Sequence, residues 1–175
     1  MYTVQNKPFY TERFAIVNDL EANYKKIREE FFNVASEELY SSWPEKFLYN
    51  EGWNVFGLRF MRNDLPEAHA ICPFISSLIH KHDGLIVTAG FSILNPGTII
   101  YPHRGYTDTV LRCHLGIDVP EGDCFLVVDS IKRHWKDGEA FVFDDTYEHQ
   151  AWNTTERTRI IMLLDLDKEK LLSTF

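Results

Sequence analysis

From Leu85 onward the chain is a succession of short β-rich runs cut by turn residues, and this rhythm restricts the fold more than any other feature. The runs are LIVTAGFSIL, GTIIYPH, TVLRCHLGI, CFLVVDSI, EAFVFDD, HQAWN and RTRIIMLLDL. Between them stand Asn95-Pro96-Gly97, Pro120-Glu121-Gly122 and Asp137-Gly138, residue types that supply the dihedrals of tight turns. Strands repeating at that interval close into an antiparallel sandwich or barrel. An earlier run, NVFGLRF at 54–60, joins them. The N-terminal part has another texture. Residues 19–39 place Leu20, Tyr24, Ile27 and Phe31 at helical spacing, with Asn18 or Asp19 as the cap. A second helix is expected at 72–81, with Pro73 in its first turn. The reading is an α+β, mainly β chain: helices first, then a jelly-roll core.

Composition excludes several function classes. A chain of 175 residues buries roughly 70% of its unfolded surface and needs no staple to fold. Its formal charge of −8 argues against binding nucleic acid phosphates. No stretch approaches the roughly eighteen apolar residues of a membrane span, and MYTVQNKPFYTERF lacks the shape of a signal peptide, so a cytoplasmic location is expected. Cys72, Cys113 and Cys124 are odd in number and show no CxxC spacing, which fits reduced core thiols. The seven histidines ask for a chemical explanation.

Strand parity places the polar residues. Over 110–117, Leu111, Cys113, Leu115 and Ile117 share one face, leaving Arg112 and His114 side by side on the other. Over 158–166, Ile160, Met162, Leu164 and Leu166 face one way; Arg159, Ile161, Leu163 and Asp165 face the other. A lone Arg at a strand start is more often a surface ion pair. A barrel lumen lined by Arg112, His114 and Arg159, however, suits a small dianion, because guanidinium presents a planar fork to carboxylate. His103 ends one strand and His149 lies on another, with Arg159 ten residues further on. Two imidazoles followed by an Arg form the skeleton of non-haem Fe(II) oxygenases.

The stretches FSILNPGTIIYPHRGYTDTVLRCHLGIDVP and WKDGEAFVFDDTYEHQAWNTTERTRIIMLLDL resemble the aspartyl/asparaginyl β-hydroxylase family of Fe(II)/2-oxoglutarate oxygenases, over roughly Phe91 to Leu166. The resemblance implies a double-stranded β-helix, a cupin-like barrel with the N-terminal helices packed on it. With the chain's length and texture, the expectation is one oxygenase domain over 1–175, with 1–83 helical and mixed and 84–167 the jelly-roll core carrying the site. The resemblance makes His103 and His149 the iron ligands. Arg159 becomes the partner of the distal carboxylate of 2-oxoglutarate, assisted by Ser92, and Arg112 and His114 hold the cosubstrate near its chelating end. Dioxygen is the third participant. The common His-x-Asp/Glu motif reads His103-Arg104-Gly105 here, and the family also carries Gly at that place. Asp145 could orient water beside the metal, or Asp144 and Asp145 could bond backbone amides at a turn. The implied activity is hydroxylation of an aspartyl/asparaginyl-like, amino-acid or other small-molecule or peptide substrate. Another metal-dependent cupin (an isomerase or cofactor-free dioxygenase) and a non-catalytic module holding a small acid remain alternatives. His69, His80, His82 and His134 read as surface or helix-end residues, and Trp135 and Trp152 as wall packing. Glu29-Glu30 and Glu37-Glu38 read as solvated helix faces. The oligomeric state is not legible.

Overall fold

The computed structural model describes residues 6–174. In chain order the strands are β1 Phe9–Tyr10, β2 Ser41–Ser42, β3 Trp53–Phe60, β4 Asn63–Asp64, β5 Ile86–Leu94 and β6 Thr98–His103. Then follow β7 Val110–Asp118, β8 Cys124–Val128, β9 Ile131–His134, β10 Ala140–Phe143, β11 His149–Asn153 and β12 Arg159–Asp167. They form two sheets. The larger runs β1-β10-β7-β12-β5-β3-β2 with β4 on β3, and the smaller runs β6-β11-β8-β9. This is the jelly roll, a double-stranded β-helix, and strands from before residue 84 complete its larger sheet.

Period-two alternation decides what each face of the larger sheet buries. Leu111, Cys113, Leu115 and Ile117 of β7, with Ile160, Met162, Leu164 and Leu166 of β12, turn outward. There they meet helices α1 Ala15–Ala22, α2 Tyr24–Val34 and α4 Pro73–Lys81, through Ile16, Leu20, Ile27, Phe31, Ile75 and Ile79. Each such side chain contributes roughly 1.5–3 kcal/mol by leaving water. The opposite face looks into the barrel, where Ile161, Phe141 and Phe143 pack on Ile100, Leu126 and Val128 of the smaller sheet. All three cysteines are free and buried.

Several local expectations change. The helix expected over 19–39 is two helices, starting earlier and broken at Asn23, whose side chain bonds the Asp19 carbonyl at 2.8 Å. Phe14, not Asn18 or Asp19, holds the cap position, and Asp19 instead binds Lys81 and His82. Glu30 is not solvated: it accepts the amides of Phe74 and Ile75 at 2.8 and 2.7 Å, capping α4 from a neighbouring helix. The run CFLVVDSI is a hairpin, because Asp129 and Ser130 both take left-handed φ of 48° and 66°. Short helices α3 Pro66–Ile71 and α5 Lys168–Leu172 complete the chain.

Candidate active site

β6 ends where β11 begins, and their register sets His103 opposite His149 with ring centroids 4.2 Å apart. Each ring is held the same way: Nδ1 of His103 donates to the Tyr101 carbonyl at 2.7 Å, and Nδ1 of His149 to the Tyr147 carbonyl at 2.9 Å. A carbonyl only accepts, so each Nδ1 carries a proton, and in the neutral form of either ring the lone pair lies on Nε2, the tautomer that metal-binding imidazoles adopt. Burial, with the His103 ring alongside, pushes His149 down to about 3, so its ring stays neutral.

Gly105 explains why no carboxylate stands two residues after His103. A Cβ there would lie 2.6 Å from the Asp145 carboxylate, and the Gly105 amide donates to the Asp145 carbonyl at 2.7 Å. The space that a His-x-Asp side chain would enter already holds Asp145. That residue is buried, and its Oδ1 has no partner among the described residues. Burial raises its pKa against the pull of Arg112, which approaches to 3.4 Å. Asp144 takes the turn role, accepting from the Thr146 amide at 3.0 Å and pairing with Lys168.

Arg159 is the electrostatic oddity of the molecule. It is 2% exposed, and among the described residues no carboxylate pairs with it. Its Nη2 donates to the Ser92 hydroxyl at 2.8 Å and carbonyl at 3.2 Å, and its Nε is buried without a partner. Burial lowers its pKa to about 9, still charged at neutral pH. Trp53 donates to the same Ser92 hydroxyl at 3.0 Å, and the Trp135 ring lies 4.6 Å from the guanidinium carbon.

The Trp135 indole N–H in turn ends on Nδ1 of His114 at 3.1 Å, so the His114 proton sits on Nε2, a buried atom without a partner. Burial, then Arg159 and Arg112, hold His114 well below its usual pKa, and the ring is a neutral donor. Trp135 reaches this position because Gly116 has no side chain: a Cβ there would lie 2.1 Å from the Lys136 carbonyl. Arg112 differs from Arg159. Asp165 takes it through two hydrogen bonds of 2.8 and 3.2 Å, and against the cost of burial Asp165 and Asp145 raise its pKa.

Ser92, His103, Arg112, His114, His149 and Arg159 thus line one pocket, and Asp145 lines the adjoining cavity with His103. Trp53 and Trp135 belong to the same constellation and were missed in the sequence; strand parity extended back to residue 53 is the signal that could have found Trp53. Trp135 is therefore more than wall packing, and Trp152 is not wall packing either: its indole binds Asp123 at 2.7 Å on the half-exposed outside. The remaining histidines all have work. His69 is largely buried between Ser76 and the Leu58 carbonyl, His80 binds Asp64, and His134 binds the Cys124 carbonyl. Asp64, His69 and His80 converge within 4.8 Å, but Arg59 already holds Asp64 at 2.6 Å.

Residues 21–169 match the family model described as aspartyl/asparaginyl β-hydroxylase. The chain is 36% identical over 173 residues to an ornithine lipid ester-linked acyl 2-hydroxylase of Rhizobium tropici, covering 93% of this chain and 61% of that protein. It is 30% identical over 163 residues to the aspartyl/asparaginyl β-hydroxylase of Mus musculus, covering 90% of this chain and 22% of that one. The chain therefore spans less than two thirds of either relative. In fold it is similar to a Pseudomonas putida prolyl-4-hydroxylase, with a TM-score of 0.56 at 13% identity over 87% of this chain and 97% of that one. Family match, relatives and fold converge: the chain belongs to the aspartyl/asparaginyl β-hydroxylase family.

Proposed function

We propose that residues 1–175 form one oxygenase domain, an Fe(II)/2-oxoglutarate-dependent dioxygenase that hydroxylates a C–H bond of a small-molecule or peptide substrate. The observation that carries this reading is Arg159, a buried guanidinium that among the described residues has no counter-ion, near a buried N–H of His114 that likewise has no partner among them. A charge so placed is costly unless a ligand supplies the opposite one. A dicarboxylate does so: its distal carboxylate accepts from Arg159 and the Ser92 hydroxyl, while His114 donates from Nε2 toward its other end. Arg112, its charge balanced by Asp165, stiffens that side of the pocket. His103 and His149 offer two fixed imidazole lone pairs to Fe(II), and the unpartnered Oδ1 of Asp145 orients water beside them. When bound, Fe(II), 2-oxoglutarate and dioxygen supply the oxidation that turns C–H into C–OH with release of succinate and CO₂.

The names of the two relatives, an acyl 2-hydroxylase and an aspartyl/asparaginyl β-hydroxylase, define the first substrates to screen. Anaerobically purified protein is titrated with 2-oxoglutarate in the presence of Fe(II) and then assayed for succinate under air with ascorbate. Binding and at least uncoupled succinate release are expected, both lost in Arg159→Gln. Absence of both in the native protein refutes the oxygenase reading. Turnover of another substrate without 2-oxoglutarate, indifferent to Arg159, identifies an isomerase or other cupin enzyme instead.

A further inference from the structure

Outside the pocket of Arg159 the cleft widens into two adjoining cavities of about 490 and 530 Å³, which share Trp43, Glu45, Phe60 and Tyr106 in their walls. The lining is mostly apolar, with Pro44, Leu65 and Leu163 added to those aromatic rings. Its charged groups are nearly all balanced. Arg112 holds Asp165 and Asp145, and the buried Arg59 holds Asp64 and Asp83. Arg104 turns Nη1 to the Thr146 carbonyl at 3.0 Å.

Among the carboxylates Glu45 is the exception, and among the described residues Arg104 is a cation of the same lining without a carboxylate partner. Among the described residues Glu45 is the one carboxylate lining these cavities that has no cation within ion-pair distance. It is nevertheless fixed in place. Its Oε2 accepts the Trp43 indole N–H at 3.1 Å, and its Oε1 accepts the Tyr106 hydroxyl. Both donors are neutral, so neither offsets a carboxylate charge, and the group lies between two aromatic side chains. Trp43 is stacked on Trp53 at 4.2 Å and 2°, and Trp53 bonds Ser92, which ties the Glu45 shelf rigidly to the wall carrying Arg159. A carboxylate held in place by an indole N–H and a phenol O–H, with no cation paired to it, can accept further charge-assisted hydrogen bonds from an ammonium. The apolar lining around it suits a hydrocarbon stem.

We propose that Glu45 anchors a primary ammonium, and that the substrate of the site is an amine carried on an apolar stem. Its cation rests on Glu45 against Trp43 and Tyr106, and its stem lies in the cavity that His103 also lines. Calling this molecule the substrate rests on the oxygenase reading above; the ammonium site itself does not.

The test compares decylamine, decanol and decanoate as probes, by calorimetric titration of the purified full chain. Decylamine is expected to bind about tenfold more tightly than decanol, the size of one charge-assisted hydrogen bond in a partly desolvated place. Decanoate is expected to bind most weakly. Glu45→Gln brings decylamine level with decanol, while Tyr106→Phe, which keeps the charge, retains the preference. Equal binding of amine and alcohol by the native chain overturns the proposal, as does a preference that survives Glu45→Gln. Should Glu45→Gln fail to fold, the comparison on the native chain decides alone. Succinate release is read separately: amine preference without any consumption of 2-oxoglutarate removes the oxygenase reading and leaves the ammonium site, and the converse result does the reverse.

Discussion

Trp135 donates its indole N–H to Nδ1 of His114 at 3.1 Å while its ring lies 4.6 Å from the Arg159 guanidinium carbon. One side chain therefore holds both of the pocket's unsatisfied donors, fixing the tautomer of one and the plane of the other. Replacing it by Phe keeps a ring and removes the N–H. His114 then loses the bond that assigns its proton to Nε2, and long-range ¹⁵N NMR of the metal-free protein should show the single tautomer give way to a mixture. Affinity for 2-oxoglutarate should fall about tenfold, the worth of one hydrogen bond to a charged group. An unchanged ¹⁵N pattern in Trp135→Phe would show that the indole does not set the tautomer.

Arg159 should display opposite effects on binding and on stability. Arg159→Met removes the counter-charge for a dicarboxylate and should weaken 2-oxoglutarate binding by about 100-fold or more, as loss of one partner of a buried charge pair does. The same change removes a buried, unpaired cation, so the ligand-free protein should unfold at an equal or higher temperature. A variant that binds normally, or one that unfolds well below the native protein, contradicts this account.

Gly105 and Asp145 compete for one space. Gly105→Ala sets a methyl group against the Asp145 carboxylate and should cost about 1–3 kcal/mol in urea unfolding. In Gly105→Ala/Asp145→Gly the clash disappears, so the double-mutant cycle should show favourable coupling of more than about 0.5 kcal/mol. Strict additivity would mean that the two positions do not meet.

Acid sensitivity should report on Arg59 and Asp64. The Arg59 hydrogen bond holds Asp64 down to about 2, below the unfolded value of about 3.9. A depressed carboxylate contributes stability above its unfolded pKa and loses it as pH falls through the folded one. The urea midpoint of the native protein should therefore drop between about pH 5 and pH 2, and Asp64→Asn should drop less over the same interval. Parallel curves for the two proteins would exclude the pair as a source of acid sensitivity.

Legibility in the sequence followed the range of the interaction concerned. The strands from Leu85 onward and the inward parity of Arg112, His114 and Arg159 came from a two-residue repeat, which the backbone itself enforces. The hairpin at Asp129-Ser130 escaped because neither residue announces a left-handed turn as Asn-Gly does. Glu30 looked solvated because its acceptors' donors, the amides of Phe74 and Ile75, lie on another helix.

The sequence by itself determined the jelly roll, the family and the set of residues that line one pocket. Periodicity and motif spacing are properties of neighbouring residues, and they survive being read in one dimension. Tertiary structure alone decided which of those residues is unpaired. Arg112 and Arg159 look alike in the sequence, yet Asp165 faces Arg112 across β7 and β12, while Arg159 meets Ser92 and the face of Trp135. The presence or absence of a counter-ion depends on side chains brought together from distant strands, and burial then turns that absence into a free-energy demand for a ligand.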